Sequence, residues 1–251
     1  MGYVTSSYIE LGSVRLGNKL WIIASMIGVA LENGLEFKIP RKWGYAEYFD
    51  IPDSMYIDEI PQGLTPIKDT YKYEEIKLDK NINYDFQGFF QQYKYFEKYK
   101  DVVYLTLSPK IESEQIGCIV AHIRRGDYVL YPDKHPILPI SYYEKALTEK
   151  TPCKLNIVTD DYEWCKSNMY LDNVECSFES GHSNTEDLFI IGSSKFVIMA
   201  NSSFSWWGAF FAWIKNEATV ICPAKEQYYG SGNSHISTDY LYPSEWHQIG
   251  Y

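Results

Sequence analysis

Two adjacent arginines, Arg124 and Arg125 within "HIRRGDYVLY" (122–131), are the residues in this chain whose type and spacing most clearly suggest chemistry. Arginine is scarce here: Arg15, Arg41, Arg124 and Arg125 are the only ones, and the other side-chain cations are lysines. A guanidinium is a planar fork of donors, and lysine cannot replace it where an oxyanion is gripped bidentately. A neighbouring pair therefore suits a ligand as highly charged as a diphosphate. The bland alternative is a pair of surface arginines bonded to nearby carboxylates such as Asp127. Scarcity, and a position at the end of the apolar run "IGCIVAHI" (116–123), favour the ligand.

Other stretches carry weaker signals. In "ANSSFSWWGAFFAW" (200–213), Asn201, Ser202 and Ser203 stand directly before an apolar helix, where backbone N–H groups and hydroxyls can hold an anion. Taken alone, ordinary N-capping explains that run better. In "TDDYEW" (159–164), Asp160 reads as a helix cap and Asp161 as a carboxylate able to reach a ligand or an arginine. The two are contiguous rather than spaced as DxD, and no second cluster of hard oxygen ligands stands out, so no metal site is expected. In "VRLGNKLW" (14–21), Gly17 and Asn18 open a helix, and the glycine permits close backbone approach. A tight strand-to-helix turn explains this equally well. Among His122, His135, His182, His235 and His247, only His122 lies in a motif, and a lone histidine at a strand end is more often structural. Dinucleotide, Walker A, nucleophile-elbow and HExxH fingerprints are absent.

The elements that must position these residues follow from periodicity. In the C-terminal half, strands at 116–123, 154–159, 173–178, 195–200 and 218–223 alternate with helices. Ser141-x-x-Glu144 and Asp160-x-x-Glu163 read as two helix starts, and 185–194 and 204–215 as further helices. Such alternation predicts βαβ units and a parallel sheet with helices on both faces, closing with 218–223. The N-terminal half opens with a helix over 17–34, stopped at Gly34, and a strand over 35–40. From 41 to about 105 short strands and loops are expected. Residues 108–115 read as a linker, with domains at 1–112 and 113–251, and no internal repeat is visible.

Composition bounds the partners. A formal charge of −10 over 251 residues argues against nucleic acid, which requires a basic face. No stretch reaches the roughly 18 apolar residues of a membrane span, and the N-terminus lacks signal-peptide features, so a soluble, cytoplasmic chain is expected. Gly2 and Ser6 fit a myristoylation pattern too short to weigh, and peripheral association with a membrane stays open. The cysteines, Cys118, Cys153, Cys165, Cys176 and Cys222, are dispersed without CxxC spacing and indicate neither zinc nor a disulfide framework.

Taken in order, "RLGNKLW", "GFFQQYKYF" (88–96), "HIRRGDY", "TDDYEWCK", "NSSFSWWGAFFAW" and "LYPSEW" (241–246) resemble the α-1,2-fucosyltransferases of glycosyltransferase family 11 through nearly the whole chain. The HxRRxDY and NSSFSWWGA blocks are the specific ones. Lys19 where the family usually has Gln, Trp21 where Phe is usual, and a somewhat short chain are departures; Lys19 bears on the acceptor side. The resemblance implies an α/β GT-B fold, two Rossmann-like halves facing a cleft. The N-terminal half would be on the acceptor side, and the C-terminal half, with its parallel sheet, would bind GDP-fucose.

The resemblance also implies GDP-β-L-fucose as donor substrate, no cofactor and no required metal, and inverting transfer to the 2-hydroxyl of a terminal galactose in an oligosaccharide. Arg124, supported by Arg125, would stabilise charge growing on the β-phosphate, with Asn201, Ser202 and Ser203 cradling the phosphates. Asp161 would bind the nucleoside or hold His122, and Gly17 and Asn18 would meet fucose or phosphate. Asp127 and His122 are the candidate bases. Alternatives are another linkage in the same superfamily (α-1,6, or a peptide hydroxyl) and a non-catalytic sugar-binding relative. A nicotinamide-dependent enzyme is a distant third.

Overall fold

A computed structural model describes residues 2–110, 119–148 and 153–251. The chain divides into two compact units, Met1–Lys110 with Ile236–Pro243, and Ile111–His235 with Ser244–Tyr251. The boundary expected at 112/113, the end of the expected linker, the first residues of the 116–123 run and Cys118 lie outside the described residues.

In the first unit, β1 (Tyr3–Thr5) leads into α1 (Leu16–Glu32). From Leu16 to Ala30 every residue of α1 except Asn18 is buried. The helix is therefore apolar almost all round and lies inside the unit instead of on its surface. The expected strand over 35–40 is split: β2 (Glu36–Phe37) pairs with β1, whereas β3 (Ile39–Pro40) pairs with β4 (Tyr56–Ile57) in a separate two-stranded sheet. Proline has no N–H to extend a ladder, so the run ends at Pro40. With β5 (Thr65–Lys68) and β6 (Tyr84–Gln87) the main sheet is parallel, in the order β2-β1-β6-β5. Pro66 sits in the edge strand β5, where a missing donor costs least. Short strands and turns fill most of 41–99, and α2 (Lys100–Thr106) follows.

The second unit alternates strand and helix as far as β11: β7 (Ile119–Ile123), α3 (Ile140–Leu147), β8 (Cys153–Thr159), α4 (Tyr162–Asn168), β9 (Val174–Phe178), α5 (Asn184–Gly192), β10 (Phe196–Ile198), α6 (Ser203–Asn216) and β11 (Thr219–Pro223), with β12 (His247–Ile249) following without an α-helix between. Its six strands are parallel, in the order β12-β11-β10-β7-β8-β9. β12 extends the series past 218–223, where sequence alone ends it; three residues, two of them polar, give no periodic signal.

Period-two alternation assigns the faces. Ala121, Ile123, Leu155, Ile157 and Ile198 pack with Tyr142, Tyr143 and Leu147 of α3 and Cys165 of α4. Residues at the alternate positions, His122 among them, face the other side, where the His122 ring lies 5.3 Å from Phe204 of α6. Two helix starts differ from expectation. Pro139 caps α3 without a side-chain bond, so the Ser141–Glu144 box does not form, and a complete capping box is instead made by Ser183 and Glu186 at α5. Among the described residues no helix is long and apolar enough to cross a membrane.

Candidate active site

The strand order of the second unit has a switch point. The chain winds outward from β7 through β8 to β9, then returns to β10 on the other side of β7. Open α/β sheets bind ligands at the carboxyl ends of strands flanking such a point. Arg124 and Arg125 follow β7 directly, and Asn201 and Ser202 follow β10.

Carboxylates and rings hold both arginines. Arg124 pairs through Nη2 with Asp127 Oδ1 at 2.6 Å and through Nη1 with Asp160 Oδ2 at 2.8 Å. Its Nε is buried with no hydrogen-bond partner. The Arg125 guanidinium lies 3.6 Å from the ring centroid of Trp164, and its Nε bonds Asp161 Oδ2 at 3.0 Å. Asp160 also accepts the Arg125 backbone N–H at 2.8 Å. This close approach explains Gly126, because a Cβ there would run into the Asp160 carboxylate. The helix cap expected at Asp160 is Asp161, whose Oδ1 accepts from Trp164 N at 3.4 Å. The shift is by one residue, because Asp160 is drawn to the arginines.

His122 is 3% exposed, and its Nδ1 is buried without a partner. Burial, with Arg124 adding a like charge, pushes its pKa down to about 3. The ring is therefore neutral at physiological pH and a weak base. Asn201 turns its Nδ2 to the carbonyls of Pro136 at 2.7 Å and Tyr228 at 3.2 Å, tying two loops together. Ser202 is the N-cap of α6, accepting from Phe204 N at 3.3 Å; Ser203 is the first helical residue and does not cap. Tyr128, missed in the sequence, donates from Oη to Asn201 O at 3.1 Å and links the segments after β7 and β10. Asp160, Gly126 and Trp164 were also missed as site residues. For Asp160 and Trp164 the signal was a carboxylate and an aromatic one helical turn apart in "TDDYEW"; for Gly126 it was a glycine directly after the arginine pair.

Gly17 and Asn18 belong to the first unit. Asn18 accepts from Gln91 Nε2 at 2.8 Å, and Gly17 is buried in the first turn of α1. Lys19 is 5% exposed and donates to Trp43 O at 2.8 Å. Burial lowers its proton affinity, and its contact is with the chain's own backbone.

Comparison with known proteins agrees with this architecture. The sequence matches Glycosyl transferase family 11 over residues 62–249. An alpha-1,2-colitosyltransferase of Escherichia coli is 32% identical over 171 residues, 58% of each chain. The O-antigen biosynthesis glycosyltransferase WbnK of Escherichia coli is 29% identical over 150 residues, 54% of this chain and 47% of that protein. These matches thus span about half the length of the curated relatives. Among solved structures, the fucosyltransferase NodZ from Bradyrhizobium superposes with a TM-score of 0.54 at 11% identity, covering 82% of this chain and 92% of that one. That likeness shows the fold, which is GT-B. Family and fold together make one statement: the chain belongs to glycosyltransferase family 11.

Proposed function

We propose that the chain transfers L-fucose from GDP-β-L-fucose, with inversion, to the 2-hydroxyl of a terminal galactose in a glycan, forming an α-1,2 linkage. The observation that carries this reading is Arg124. It stands at the switch point, oriented by Asp127 and Asp160, with donors left over for an anion. Structures of NodZ, described as an alpha-1,6-fucosyltransferase, soaked with GDP-fucose support the donor class. The relative named for α-1,2 transfer supports the linkage.

In the proposed reaction the galactose O2 bonds to the anomeric carbon as the bond from that carbon to the β-phosphate oxygen breaks. GDP leaves with the electron pair. Negative charge grows on the β-phosphate, where Arg124 donates, Arg125 supports, and Ser202 and Ser203 at the α6 start add polar contacts. Arginines held this way take the part a cation would otherwise play, so turnover should persist in EDTA. The proton of O2 passes to Asp127 or to the departing phosphate. Of the two candidate bases Asp127 is favoured, since its side chain is 39% exposed whereas His122 is buried and weakly basic. Asp161 acts in this reading by bracing Arg125.

The test is an acceptor screen with GDP-fucose and a panel of β-galactosides, with product linkage read by NMR. Arg124→Ala should abolish transfer and leave the circular-dichroism spectrum intact; near-normal turnover in that variant would sink the assignment. A second reading, a colitosyl donor, is favoured by the 32% identical relative. GDP-fucose and GDP-colitose compared side by side separate the two by kcat/KM.

A further inference from the structure

The Arg124 guanidinium lies 5.3 Å from the ring centroid of Tyr128. Tyr128 is stacked in turn on His135, at 4.5 Å with 17° between the planes. Tyr229 continues the series, tilted at 6.2 Å from His135. Burial raises the Tyr128 phenol to about 12, so its ring stays uncharged and can receive a cation.

The loop carrying His135 is pinned from several sides. Asn201 bonds the carbonyl of Pro136. The backbone N–H groups of Gly230 and Gly232 donate to Lys134 O at 3.0 Å and Asp133 O at 2.8 Å. A Cβ at Gly230 would meet the Asp133 carbonyl, so the two segments can approach this closely only because glycine stands there. The His135 Nδ1 is buried without a hydrogen-bond partner. A ring this fixed, with an unused nitrogen and a face pressed on Tyr128, has no solvation reason to be histidine.

We propose that His135 is a positioning residue: its ring holds Tyr128 against Arg124 and so sets the angle at which that guanidinium meets the donor diphosphate. The inference rests on the reading of Arg124 given above. The groups around His135 pull in both directions. Burial, Arg124 and Lys134 disfavour its protonation, while Asp127 and Asp133 favour it, and the net direction is downward from the ordinary value. The uncharged ring is thus the form present at neutral pH. Protonation in acid puts an imidazolium and a guanidinium on one phenol, two cations in place of one, and the support weakens.

The experiment uses the full chain. GDP affinity is measured by calorimetry at pH 8, and kcat and KM for GDP-fucose from pH 5.5 to 8.5. The donor's diphosphate is esterified at both ends and does not titrate in that range. His135→Ala should bind GDP roughly tenfold more weakly, with a matching fall in kcat/KM. His135→Phe keeps a flat ring and removes the titrating nitrogens. It should recover most of that loss at pH 8 and show a flatter acid limb than the wild type. If Ala and Phe variants both match the wild type in GDP affinity and pH profile, the inference alone is overturned. If the Ala variant does not fold, a Phe variant with the wild-type acid limb overturns it just as well. A wild-type chain that neither binds GDP nor turns over GDP-fucose overturns the Arg124 reading and this inference with it.

Discussion

The carboxyl ends of two parallel strands, β7 in the second unit and β6 in the first, solve the same geometric problem with different chemistry. At β7 the groups are ionic: two arginines, three aspartates and the rings of Trp164 and Tyr128 that keep the guanidinium planes in place. At β6 one buried carboxylate, Asp85, accepts from Ser7 N at 2.7 Å, Ser7 Oγ at 2.8 Å and Gln87 Nε2 at 2.9 Å, and the neighbouring pair Gln91–Asn18 is neutral. A charged end with unused donors suits an oxyanion, whereas amides and hydroxyls suit a sugar's hydroxyls. In an acidic chain, two of the four arginines stand together at this strand end, and the flanking aspartates orient them.

The largest expected effect tests that contrast directly. Arg124→Lys keeps the charge but cannot span Asp127 and Asp160, so donor kcat/KM should fall on the order of a hundredfold, with Arg124→Ala falling further. Asn18→Ala, at the neutral end, should leave GDP affinity within about twofold of the wild type. Equal losses at the two positions would erase the distinction between a charged and a neutral strand end.

Next in size is an acid effect at His122. Its folded pKa lies below its unfolded one, so its stabilisation is complete above about pH 6.5 and is lost as pH falls towards about 3. At pH 5 the wild type should have lost on the order of 2 kcal/mol that a His122→Gln variant does not lose, measured as urea midpoints across pH. Parallel pH curves would mean that the neutral imidazole is not what the buried site requires.

At the other strand end, Asp85→Asn should destabilise the chain by about 1–2 kcal/mol, because an amide cannot accept all three donors. The same variant should leave GDP affinity alone, and a loss of GDP binding would move the first unit's strand end into the donor site.

The smallest effect is at Asp187, half-buried near His182, whose carboxyl burial raises to about 6. A raised folded pKa stabilises below about pH 3.8 and loses that contribution as pH rises through about 6. Asp187→Asn should therefore raise the melting temperature at pH 8, by about 1 kcal/mol of stability after allowance for solvent screening, and change it little at pH 4. A lower melting temperature at pH 8 would show that the charged form is paired there.

Much of the second unit was legible because each strand and helix carries a local signature. Apolar runs of strand length alternate with capped helical stretches, and arginine scarcity singled out Arg124 and Arg125. What escaped the sequence depended on partners far away along the chain. Residues 35–40 read as one strand because nothing local reveals that Ile39 pairs with Tyr56 while Glu36 pairs with Tyr3. Asp160 read as a cap because the pull of Arg124, over thirty residues earlier, is invisible in "TDDYEW". Lys19 stood out in the sequence only as a departure from the family's usual Gln, and its partner, the carbonyl of Trp43, is invisible there.

Residue type and spacing alone determined that this is a βαβ chain with an arginine pair at a strand end, since hydrophobic period acts locally and arginine scarcity is read directly from the sequence. Tertiary structure decided the orientation. The switch point between β7 and β10, the aspartates that aim Arg124, the Trp164 face under Arg125 and the burial that keeps His122 neutral arise only when distant segments are brought within a few ångströms. Hydrogen bonds, ion pairs and desolvation act at that range.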